Sequence, residues 1–145
     1  MTRDDSPATR QRMQRVVVVS GSLLGGIAVA TGAFGAHALR TVLDASGQAG
    51  NWETATRYAL VHALAAVVAG VMASRRTPSD MARPALAAGI CFLFGSLIFS
   101  GCLMALALSG IRILGAIVPI GGALLIVGWV ILAVAGWRSA SPPAD

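Results

Sequence analysis

The run VVVVSGSLLGGIAVATGAFGAHAL, Val16 to Leu39, holds no charged side chain over 24 positions. At about 1.5 Å of rise per residue, a helix of that length crosses a hydrocarbon core about 30 Å thick, so the stretch reads as a membrane span. Its close, Gly32-Ala-Phe-Gly-Ala-His-Ala-Leu39, sets small residues around one ionisable group, His37. In lipid, glycine and alanine let a second backbone approach, because helix association there rests on van der Waals packing rather than on expelling water. A histidine in such a segment is costly unless it faces the bundle interior, a partner or the interface.

Three further charge-free runs follow: Tyr58 to Ser74, Pro84 to Ile111 and Ile113 to Trp137, of 17, 28 and 25 residues. Over the 145 residues, 56% are apolar and 12% charged, about half the charged share usual in soluble domains. The prediction is an all-α integral membrane four-helix bundle with the lipid bilayer as its solvent. Its transmembrane domain occupies residues 16–137, with spans at about 16–39, 56–74, 84–110 and 113–137. Residues 1–15 and 138–145 read as disordered cytoplasmic tails. Residues 41–50 read as a loop, after which Asn51 caps a helix beginning at Trp52, with Glu53 and Arg57 at the favourable i,i+4 spacing.

A net charge of +5 would suit a nucleic-acid binder only if the basic residues gathered on one soluble face. They sit instead at the ends of the apolar runs, so no nucleic-acid partner is expected. Eight arginines lie in the N-terminal tail (Arg3, Arg10, Arg12, Arg15), the second loop (Arg75, Arg76, Arg83) and the C-terminus (Arg138). The other two loops hold three, Arg40, Arg57 and Arg112. The positive-inside rule then places both termini in the cytoplasm, N-in and C-in, of a bacterial inner membrane.

Small residues recur along one side of the first span at Gly25, Gly32, Gly35 and Ala36, and of the third at Gly95, Ser96, Ser100 and Gly101; these are the expected helix-packing positions. Pro119 removes a backbone hydrogen bond from the fourth span, and Gly121-Gly122 follows it, so irregular backbone is expected there. Cys91 and Cys102 share one helix, about 16 Å apart along its axis, too far to bridge.

Together these segments resemble a known family. Gly32-Ala-Phe-Gly-Ala-His-Ala-Leu39, Trp52-x-Thr-Ala-x-x-Tyr58-x-x-x-His62-Ala-Leu-Ala65, Leu93-Phe-Gly-Ser96 with Phe99-Ser-Gly101, and Pro119-Ile-Gly-Gly122 with Gly128-Trp129 look like the small YgdD-like membrane proteins. These are the DUF 423 family, whose eukaryotic relatives are called transmembrane protein 256. The resemblance covers about Gly21 to Trp129. It implies a four-helix integral membrane protein and no particular activity, since no biochemical function is established for the family. The chain departs from the family pattern at Cys102, Met104 and Val118, where hydroxyl-bearing residues are common, which weakens a polar site between the third and fourth spans.

His37 and His62 are the only side chains inside the spans that titrate near neutral pH. Antiparallel neighbours bring them to similar depth. One reading is a neutral histidine bonded to a carbonyl, to Tyr58 or to the other histidine, fixing helix register. Another is a proton or small-solute path. Zinc needs three or four ligands, whereas bis-histidine haem needs two. No metal or other cofactor is expected. Trp52 and Tyr58 suit the headgroup layer. The chain lacks His-Glu-x-x-His, Gly-x-Ser-x-Gly, paired carboxylates and phosphate-binding glycine fingerprints, so no enzyme is expected. The functional expectation is a structural or accessory subunit, with a homo-oligomer or an unidentified membrane protein as partner. The alternative is an oligomeric pore for protons or a small solute, with His37, Tyr58, His62 and the Pro119, Gly121, Gly122 break near its outer mouth.

The arginine distribution makes a direct prediction about topology. A thiol reagent that does not cross membranes labels Ser46→Cys in intact cells and Ser79→Cys only after permeabilisation; the reverse pattern refutes the orientation.

Overall fold

A computed structural model of the chain describes residues 6–74 and 79–139. Five helices follow in order: α1 Pro7–Ala36, α2 Arg40–Ala45, α3 Ala49–Met72, α4 Ser79–Ser109 and α5 Ile113–Ser139. Four of them, α1, α3, α4 and α5, are long and apolar enough to cross a membrane. Among the described residues there is no strand.

The helix limits differ from the expected spans in physically readable ways. Residues 7–15, expected as part of a disordered tail, are helical. Ser6 accepts a hydrogen bond from the Thr9 N–H at 3.2 Å, and Pro7 occupies the first turn, where its missing N–H is harmless. A helix already nucleated in the apolar run extends through polar residues one bond at a time, so it needs no apolar face there. Residues 1–5, 75–78 and 140–145 lie outside the described residues.

At the other end α1 stops at Ala36, and residues 40–45, expected as loop, form α2. Arg40 and Asp44 pair across one turn of it at 3.8 Å, while Leu43 is buried against Trp52 and Ala107. Gly47, at φ +65°, supplies the left-handed residue that lets the chain leave α2. The start of α3 also moves: its N-cap is Gln48, not Asn51, and Asn51 donates instead to the Gln48 side chain at 2.7 Å.

The long helices pack in the order α1, α3, α4, α5, so α1 and α5 are the flanks. The inner pair meets along a seam of small side chains. On α3 the buried residues Ala55, Ala59, His62, Ala66, Ala69 and, just past its end, Ala73 alternate spacings of four and three. That is the period of a helix presenting one narrow stripe to a neighbour. Ala82, Ala85, Phe92, Ser96, Ser100, Leu103 and Ala107 are the buried side chains that continue a similar spacing on α4. The alanine stripe is readable in the sequence, as are the small residues expected to pack the first and third spans.

The closest backbone contact joins α4 and α5. A Cβ built on Gly121 would lie 2.5 Å from the Phe99 amide nitrogen and 2.9 Å from the Gly95 carbonyl oxygen, and one on Gly95 would lie 2.6 Å from Leu125 Cδ2. Gly95 is thus a packing glycine, with Gly121 as its counterpart. The irregular backbone expected around Pro119 is absent: α5 runs helically through Pro119, Gly121 and Gly122. The proline ring costs one bond, to the Gly115 carbonyl, but its fixed φ is itself helical.

Gly101 packs against no other helix, being exposed with nothing within 4 Å of a built Cβ. The contrast can be measured. Gly121→Ala is expected to lower stability in a single detergent by about 1 to 3 kcal/mol through overpacking. Gly101→Ala is expected to leave it unchanged or raise it by up to about 1 kcal/mol, the helix-propensity difference. Equal melting temperatures for both variants would refute the α4–α5 crossing.

Candidate functional site

Apart from the seam, α3 is tied to both flanking helices, α1 and α5, by an indole. Trp52 is buried within the bundle, and its Nε1–H donates to the Thr31 carbonyl of α1 at 2.9 Å. The ring reaches that carbonyl by crossing Gly35, where a built Cβ would fall 2.2 Å from the indole nitrogen. Gly35 therefore makes room for a ring rather than for a backbone. Gly32 lies against Thr56, with a built Cβ 3.0 Å from its methyl group, and Gly25 makes ordinary contact with Ala63 at 3.7 Å. Ala36 is exposed and lines the groove beside α2 without packing a helix.

The second indole, on a ring 46% exposed, meets the buried imidazole of α3. Trp129 on α5 directs Nε1–H to Nε2 of His62 on α3 at 3.1 Å, and His62 Nδ1 lies 2.8 Å from the Tyr58 carbonyl oxygen. An indole nitrogen only donates and a carbonyl oxygen only accepts. His62 must then carry its hydrogen on Nδ1 and present the lone pair of Nε2, which is the neutral imidazole. Both ring nitrogens are occupied. A haem iron or a travelling proton would have to displace the Trp129 N–H to reach Nε2.

Aromatic rings from three helices flank this bond, those of Tyr58 and Trp129 remaining partly exposed. Tyr58 stacks on Phe99 with centroids 4.5 Å apart, and Phe92 meets Trp129 edge-on at 5.1 Å. His62 lies 5.7 Å from both Tyr58 and Phe92. Beside them a cleft of about 430 Å³ opens between α3 and α5, walled by Tyr58, His62, Phe99, Gly122 and Trp129.

His37 is elsewhere. It is exposed, caps the end of α1 through its backbone N–H to the Ala33 carbonyl at 3.1 Å, and lines neither the cleft beside His62 nor the groove beside α2. The partner of His62 is thus Trp129, a residue that enters the sequence reading only within the family pattern. Among the described residues no three His, Cys, Asp or Glu side chains are close enough to share a metal ion.

Ser96 and Ser100 are buried on α4, as packing positions should be, but neither Oγ has a hydrogen-bond partner. Elsewhere the helices satisfy such hydroxyls locally: Ser22, Thr56 and Ser109 donate to the carbonyl four residues back at 2.9, 2.9 and 2.6 Å. Cys91 and Cys102 are half-buried free thiols.

Residues 31–122 match the family model described as a protein of unknown function, DUF423. A UPF0382 membrane protein of Staphylococcus epidermidis is 43% identical over 121 residues, covering 83% of this chain and 94% of the relative. The UPF0382 membrane protein SSP2132 of Staphylococcus saprophyticus is 41% identical over 124 residues, 86% of this chain and 98% of its own. SAB0533 of Staphylococcus aureus is 38% identical over 127 residues, 87% and 98% of the two chains. No solved structure matches.

The His62–Trp129 bond is open to a double-mutant cycle. Trp129→Phe keeps a ring in place and removes the donor, so its effect and that of His62→Ala are expected to couple by about 0.6 kcal/mol, the average for a hydrogen bond between membrane helices. His37→Ala is expected to change stability by less than about 0.5 kcal/mol and to add independently to His62→Ala. Coupling of the two histidines with none between His62 and Trp129 would overturn the assignment.

Proposed function

We propose that this chain, which belongs to the DUF423 family, is a non-enzymatic structural or accessory subunit of a bacterial cytoplasmic membrane, with both termini inside. The observation that carries this reading is the use made of His62. The one buried imidazole of the described spans spends both nitrogens holding α3 in register with α5 and on its own helix. It serves as a tie between helices, the use expected of a polar group that neighbouring helices must satisfy in lipid. The pore reading needs the same imidazole free to exchange protons or to meet solute. The bacterial setting is supported by the Staphylococcus membrane proteins that the chain resembles, and the orientation by the arginine distribution.

A subunit needs a surface for its partner, and the flanking helices offer it. Only 17% of the most apolar window of α1, and of α5, is buried within the chain. Leu23 on α1 is 63% exposed and Val130 on α5 is 58% exposed. A photoactivatable amino acid placed at Leu23 or Val130 in growing cells is expected to capture a protein, either a second copy or another membrane protein, from at least one flank. Adducts to lipid alone from both positions would refute the subunit reading. Reconstituted vesicles carrying an internal pH dye are expected to leak protons no faster than empty ones, and faster leakage abolished by His62→Ala would favour the pore.

A further inference from the structure

The groove between the end of α1, α2 and the start of α3 encloses about 520 Å³. Its lining combines two chemistries. Gly32, Gly35, Leu43 and Leu60 make apolar walls beside the Trp52 ring, which is held by its bond to Thr31. Arg40, Asp44, Glu53 and Arg57 supply four charges. Arg40 is the first charge after the charge-free run of α1, and Arg57 the last before that of α3. The edge of the hydrocarbon core therefore lies at the groove, with the charged side chains at headgroup depth and the apolar walls within reach of acyl chains. An occupant that satisfies both is amphiphilic and arrives from the membrane.

The charges select among headgroups. Arg40 pairs with Asp44 at 3.8 Å and Arg57 pairs with Glu53, each across one helical turn, and all four side chains are between 62% and 76% exposed. Such exposed pairs are weak, and each guanidinium keeps further donors free of its single carboxylate partner. The lining holds two cations and two anions. A purely anionic headgroup meets the arginines but is opposed by Asp44 and Glu53. A choline headgroup has no N–H to give the carboxylates. A primary ammonium offers three donors, while its phosphate accepts from a guanidinium, so both signs are met by charge-assisted bonds.

We propose that this groove is a binding site for a phospholipid with a primary-ammonium headgroup of the phosphatidylethanolamine type, its phosphate on Arg40 and Arg57 and its ammonium on Asp44 and Glu53. The inference stands apart from the role of His62 and does not depend on it.

The test uses the full-length chain, stripped of lipid in detergent and offered an equimolar mixture of palmitoyl-oleoyl phosphatidylethanolamine, phosphatidylcholine and phosphatidylglycerol, with retained lipid read by native mass spectrometry. Phosphatidylethanolamine is expected to exceed phosphatidylcholine by about two- to fivefold, the ratio that exposed charge contacts produce. Asp44→Asn with Glu53→Gln brings that ratio to parity, and Arg40→Gln with Arg57→Gln lowers retention of both lipids. Parity in the native chain, enrichment of phosphatidylglycerol above phosphatidylethanolamine, or a preference that survives loss of both carboxylates overturns the proposal. Should the variants misfold by circular dichroism, the three-lipid ratio on the native chain still decides.

Discussion

The bond from the Trp129 indole to His62 joins positions 67 residues apart in sequence, and much of the arrangement around α3 depends on it. Water drives helices together in soluble bundles, but lipid tails compete on equal terms for every leucine, so a membrane bundle relies on close packing and on polar groups that must find partners. Here α3 carries both devices. Its alanine stripe admits α4 closely, and its His62 and Trp52 reach α5 and α1 by one hydrogen bond each. The small-residue seam sets how near the helices come. The two indole bonds set their register, because sliding either flank by a turn would leave an imidazole or an indole N–H unpaired in an apolar setting.

This division explains what the sequence disclosed. Charge-free runs and arginine positions are one-dimensional signals, so four spans could be counted and placed to within one or two turns at most boundaries. The larger error, at residues 7–15, came from asking for apolar periodicity in a segment that needed only a cap and a helix to extend. The loop expected at 41–50 became α2 because Leu43 finds cover against Trp52 and Ala107, and cover by residues distant in sequence leaves no local trace.

The interior was legible only in part. His62 announced itself, since an ionisable side chain in an apolar run must have a partner, and a carbonyl is one of the partners open to it. The indole partner did not, because any tryptophan in a span reads equally well as an interfacial anchor. His37 carried the same chemical signal as His62 yet ended at an exposed helix terminus: three residues separate it from Arg40, close enough to the boundary for the interface to satisfy it. Gly121 carries a signal that points two ways. Beside Pro119 it suggested broken backbone, whereas its lack of a side chain is what brings Phe99 and Gly95 against α5. A glycine marks a place where something comes near, and the sequence does not say what.

Ser96 and Ser100 show the same economy from the opposite side. Each is buried, and each leaves its hydroxyl without the local carbonyl bond that Ser22, Thr56 and Ser109 make. A serine is little larger than alanine, so both positions keep the seam narrow, and their volume matters more to the packing than their polarity. An unpaired hydroxyl in a dry site costs about 1 to 3 kcal/mol, more than the bond from Trp129 to His62 returns. The inner pair of helices therefore bears a cost in exchange for closeness, and the indole bonds on either side of α3 act on a bundle whose principal stabilisation is the area of close contact. In such a bundle the polar groups choose one register among several well-packed ones, which is the role that the chemistry of His62 allows it.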